Sequence, residues 1–135
     1  MPERALEDPF EPLHAIQAPG GPRLEVLDLP MAWLAHRRYD AVISLVDPGT
    51  VLDWGHPRQR VFEVDDVERD RGAAPDVALV RALLDVDLAG ASSVLIHCHG
   101  GFSRSPAAAM LWAAKLGAGL RAIEATACVS AKWVP

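Results

Sequence analysis

Residues 94–110 read VLIHCHGGFSRSPAAAM, with Cys98 between His97 and His99, glycines at 100 and 101, and Arg104 six positions beyond the cysteine. Such a cysteine is either a small buried hydrophobe at a strand end or a nucleophilic thiolate built beside an anion site. The flanking sequence favours the second. SVLIH (93–97) has the form of a buried strand, and SPAAAMLWAAKL (105–116) that of a helix. Ser105 is placed to cap that helix and Pro106 to occupy its first position. HGGFSR is thereby confined to a tight strand-to-helix loop. Gly100 and Gly101 carry no Cβ and let the backbone turn its N–H groups inward. Inward N–H groups form an anion nest, and the helix N-terminus adds its dipole. Arg104 closes the ring with a planar, two-pronged donor. The same field favours the thiolate form of Cys98, so one arrangement binds a dianion and activates a nucleophile beneath it. The candidate anion-binding residues are His99, Gly100, Gly101, Phe102, Ser103 and Arg104.

A loop of this kind needs a scaffold, and the rest of the chain supplies one. RLEVLDL (23–29) alternates as a strand, with Pro30 as punctuation. AVISLV (41–46) is an apolar run stopped by Asp47-Pro48-Gly49, and RVFEV (60–64) is a further strand. Helices are expected over 31–38, over 75–88 with Pro75 in the first turn, and over 120–129. Alternating strands and helices predict an α/β fold, a three-layer sandwich with a mainly parallel central sheet flanked by helices. In such sheets ligands bind beyond the carboxyl ends of the strands, which is where Cys98 falls. Residues 1–22 hold five of the eleven prolines. They read as an irregular lead-in, leaving 23–135 as a single domain.

His97-Cys98, five residues, then Arg104-Ser105 resembles the signature of the cysteine-dependent protein tyrosine phosphatases, in its dual-specificity-like, bacterial form. The SRSPAAA continuation into a helix strengthens the match, which extends from about Asp40 to Leu116. The resemblance implies a phosphatase domain that transfers a phosphoryl group to Cys98 and then to water, with Arg104 holding the equatorial oxygens. It implies that Ser105 assists the thiolate as leaving group. His97 would order the loop and support the thiolate without touching substrate. The family's general acid is an aspartate some thirty residues before the cysteine. VFEVDDVERD offers Asp65, Asp66 and Asp70, and Asp66, 32 positions before Cys98, is favoured over Asp65. The implied substrates are phosphotyrosine proteins or peptides, with phosphoserine and phosphothreonine as further candidates, and no cofactor or metal is implied. Three rivals stand beside this reading. A phosphoinositide phosphatase usually carries lysines in the loop, where this chain has His99, Phe102 and Ser103. A rhodanese-like sulfur transferase usually has a loop one residue shorter. A pseudophosphatase that only holds phosphopeptides often lacks the nucleophile. Family domains usually continue with one more packed helix, so a chain ending AKWVP is expected to be a minimal or shortened form.

Composition narrows the setting. The chain has 135 residues, 50% apolar and 23% charged, with a net charge of −5. That length fits one domain, and the charge points away from nucleic acid and anionic membranes. No apolar run is long enough to span a bilayer, and MPERALEDPF lacks the pattern of a secretory signal. Cys98 and Cys128 are the only cysteines, so a reducing, cytoplasmic interior is expected. Cys128 reads as packing, with a redox partnership to Cys98 left open. Zinc at His97, Cys98 and His99 is disfavoured, because adjacent residues on an extended chain point to opposite sides. Trp54 and His56 read either as pocket wall or as loop packing. Arg58, Arg60, Arg69 and Arg71 read as a solvated face.

Overall fold

A computed structural model of the protein describes residues 11–64, 77–99, 104–119 and 121. Among these residues five strands form one sheet in the order β1-β2-β5-β3-β4. They are β1 (His14–Gln17), β2 (Arg23–Leu27), β3 (Ala41–Val46), β4 (Gln59–Glu63) and β5 (Ser93–His97). β1 runs antiparallel to β2, and the other pairings are parallel. Among the described residues three helices accompany the sheet: α1 (Leu29–Ala35), continued by a 3-10 turn over His36–Arg38, α2 (Val77–Leu84) and α3 (Arg104–Lys115). This is the α/β sandwich expected from the sequence.

The period of two along each strand sorts the core into two layers. Leu24 and Val26, Ala41, Ile43 and Leu45, and Val94, Ile96 and Cys98 share one cluster with Leu83 of α2 and Ala108, Ala109 and Trp112 of α3. Leu27, Val42 and Leu95 face the other way, packing with Ala32 and Ala35 of α1 and with Tyr39. β3 is buried along its whole length and β5 nearly so. That burial explains their unbroken apolar runs, since a parallel strand covered on both faces has no side to give to water.

Several expectations need correction. The irregular lead-in expected over 1–22 contains a four-residue strand, with His14 and Ile16 turned inward. The prolines bracket β1 without entering it, and β1 lies at the sheet edge, where nearby prolines are tolerated. It joins β2 through a type II turn at Ala18-Pro19-Gly20-Gly21, where Gly20 takes φ +62 and the Gly21 N–H bonds the Ala18 carbonyl at 3.1 Å. The first helix starts at Leu29 and not at Met31, because the Asp28 carboxylate accepts the Met31 N–H at 3.0 Å and Pro30 fits the first turn. α2 stops at Leu84, four residues short of the expected end. α3 begins at Arg104, so Ser105 is inside the helix and does not cap it. Arg58 is half-buried, and within the face read as solvated its guanidinium donates to the carbonyls of Asp87 and Ala89. The helix expected over 120–129, apart from Arg121, lies outside the described residues, as do Asp65, Asp66, Asp70, residues 100–103 and Cys128.

Candidate active site

The parallel strands bring their carboxyl ends to one edge, and the register sets His97 between Leu27 on β2 and Ser44 on β3. Cys98 is the next residue, 3% exposed, where the central strand ends. The start of α3 returns to it: the Cys98 Sγ is 3.1 Å from the Ser105 Oγ, and Ser105 is fully buried. The hydroxyl that sequence placed as a cap is therefore directed at the thiol. The next backbone link is also tied, because the Leu29 N–H at the start of α1 donates to the His99 carbonyl at 2.8 Å.

Arg104 reaches from the first turn of α3 across the ends of two other strands. Its Nη1 donates to the Asp47 carboxylate at 2.8 Å and to the Val64 carbonyl at 2.9 Å. Asp47 follows β3, and Val64 follows β4. Both protons of Nη1 are therefore committed, which holds the guanidinium plane in one orientation. Its Nε is buried and has no hydrogen-bond partner among the described residues. A buried charged donor left unpaired is costly unless something fills the place in front of it. The second Asp47 oxygen lies 3.6 Å from the Nε2 of His99, whose side chain is 41% exposed. His99 thus stands half-exposed at the edge of the site.

On the opposite face lies a buried polar chain. His97, fully buried, has its Nδ1 3.0 Å from the Cys98 carbonyl and its Nε2 2.7 Å from the Ser44 Oγ. Gln59 donates to Ser44 at 3.0 Å. Trp54 covers the imidazole, stacked at 4.9 Å between centroids and 17° between planes. Of its two open readings, loop packing describes Trp54 better than pocket wall. His56 is occupied locally, with Nε2 2.7 Å from the Tyr39 carbonyl. Burial pushes His97 down from 6.5 to about 4; its bond to the Cys98 carbonyl opposes that lowering and His99 adds to it. His97 is neutral at pH 7.

Of the residues singled out from sequence, His97, Cys98, His99, Arg104 and Ser105 come together here. Asp47, Ser44 and Gln59 were missed. Asp47 had been read only as part of a turn, and Ser44 is one hydroxyl within an apolar run, so its spacing gave no signal. Among the described residues, no group of three His, Cys, Asp or Glu gathers as a metal site, and no helix is long and apolar enough to cross a membrane.

A cysteine just past the end of the central strand and an arginine opening the following helix, on a mainly parallel five-stranded sheet, give an α/β fold like that of the cysteine-dependent phosphatases. Among solved structures the chain is similar to Tk-PTP, a protein tyrosine phosphatase whose crystal structure is described as the active form. The TM-score is 0.57 and the identity 23%, over 84% of this chain and 82% of that one. No protein-family model and no curated protein matches the chain.

Proposed function

We propose that this protein is a phosphomonoester hydrolase acting on phosphotyrosine in proteins or peptides, through a cysteinyl-phosphate intermediate. The observation that carries the reading is the buried Arg104, its Nη1 held by Asp47 and Val64 and its Nε without a hydrogen-bond partner among the described residues. That arrangement leaves the Nε edge of the guanidinium to take two oxygens of a phosphoryl group side by side.

In the first step the Cys98 thiolate attacks phosphorus; the sulfur–phosphorus bond forms as the bond to the leaving oxygen breaks. Asp66 gives its proton to that oxygen. The chain reaches Asp66 two residues after Val64, whose carbonyl is bonded to Arg104. In the second step water attacks phosphorus, Asp66 takes its proton, and the thiolate departs. The Ser105 hydroxyl, 3.1 Å from the sulfur, donates to the departing thiolate. Arg104 and the backbone N–H groups of residues 99–103 hold the three equatorial oxygens through both steps. Phosphoserine and phosphothreonine are secondary substrates of the same chemistry.

The test is release of p-nitrophenol from p-nitrophenyl phosphate, with chelator and reductant present. Wild type should turn over, Cys98→Ser should be inactive, and Asp66→Asn should lose most on substrates with poor leaving groups. Turnover by Cys98→Ser equal to wild type would refute the nucleophile. A folded wild type that binds phosphotyrosine peptide without releasing phosphate would be a binding module instead.

A further inference from the structure

We propose that Ser44 and Gln59 are positioning residues for Cys98, acting through His97 to fix the direction of the Cys98–His99 peptide. The inference rests on the catalytic reading above. Each link of the buried chain has one possible sense. The Trp54 N–H lies 3.2 Å from the Gln59 Oε1 and can only donate. That turns the Gln59 amide nitrogen toward Ser44, to which it donates at 3.0 Å. The Ser44 oxygen is thereby an acceptor, and its own proton goes to the His97 Nε2 at 2.7 Å. His97 then carries its proton on Nδ1, 3.0 Å from the Cys98 carbonyl, which can only accept. A network that begins at a backbone N–H on the β3–β4 connection thus ends on the nucleophile's own peptide.

The consequence follows from the planar trans peptide, whose N–H points opposite to its C=O. With the Cys98 oxygen held by His97, the N–H of His99 is directed away from His97. A flip of that peptide would present a carbonyl dipole where the anion nest needs a donor. Burial keeps the imidazole neutral, which is the form this chain requires. The Trp54 ring stacked on it excludes water that would otherwise compete for Nε2.

The experiment uses the full chain with 15N-labelled histidine. In wild type the His97 ring shifts should show Nδ1 protonated and Nε2 bare. Gln59→Glu is nearly isosteric and should reverse the chain: the new carboxylate accepts the Ser44 proton, Ser44 accepts from Nε2–H, and Nε2 becomes protonated. Ser44→Ala should leave Nε2 without its donor. Both variants should slow carboxymethylation of Cys98 by iodoacetate and lower kcat on p-nitrophenyl phosphate, by up to about 100-fold. Ring shifts and alkylation involve no phosphate substrate, so they stand even if the phosphatase reading fails. A wild-type His97 bare at Nδ1 overturns the proposal. So does a folded Ser44→Ala that alkylates at the wild-type rate. Wild-type ring shifts in Gln59→Glu overturn it as well, and that variant serves should Ser44→Ala not fold.

Discussion

Against the face of the sheet covered by α2 and α3, the central strands β2, β3 and β5 present apolar residues up to Cys98, just past the end of β5, and these meet Leu83, Ala108 and Trp112. The face covered by α1 begins the same way on the central strands, with Val42 and Leu95. Toward the carboxyl edge it changes character, and Ser44 and His97 are both fully buried. His97 and Cys98 are neighbours in sequence on opposite faces, one held by polar partners and the other beside a helix start. The difference shows how a parallel sheet can put a thiol and the polar groups that hold its backbone on separate faces. Side chains that do not share the Cys98 face still reach its backbone from the far side.

The largest effect expected is on the apolar face. Trp112, 3% exposed, packs between the sheet and α2, and its Nε1 donates to the Leu83 carbonyl at 3.2 Å. Trp112→Ala should destabilise by about 3–5 kcal/mol. Urea denaturation reads it, and a loss below about 1 kcal/mol would mean that α3 is not anchored here. On the polar face the handle is pH. Below pH 6.5 the unfolded chain protonates His97, while the folded protein resists until about pH 4. Stability should therefore fall as pH drops through that window, by ~3 kcal/mol in all. His14 and His36, also lowered by burial, act with the same sign. Denaturant midpoints between pH 7 and pH 4 measure the loss. Trp54→Ala, which uncovers the ring, should shrink that part of it, and an NMR titration of wild-type His97 centred near 6.5 would contradict the account. The smallest effect is expected where the faces meet at the edge. Asp47→Asn keeps an acceptor for Arg104 but removes the charge, which should lower kcat/KM about tenfold. An unchanged kcat/KM would show that Val64 alone orients the guanidinium.

Much of this was legible beforehand. The spans of β3 and β5 follow from their unbroken apolar runs, and the place of Cys98 between a strand end and the helix that carries Arg104 and Ser105 from the pattern on either side of it. The edge strand β1 was hidden among prolines, because its four residues form a strand only by pairing with β2. Arg58 looked like a solvent-facing cation, but the turn after α2 brings the Asp87 and Ala89 carbonyls to it. Ser105 had the pattern of a cap, yet α3 begins one residue earlier and turns its hydroxyl to the thiol.

The amino-acid sequence by itself determined which residues can do chemistry and that a strand end and a helix start must hold them. Residue type, short spacing and hydrophobic period are local properties, and a local property survives without the fold. Only the tertiary structure decided that Asp47 and Val64 hold Arg104, and that Ser44 and Gln59 reach Cys98 through His97. Those partners lie on or just after separate strands, some of them more than forty residues apart along the chain. Sheet order and register bring them together, and no local pattern encodes either.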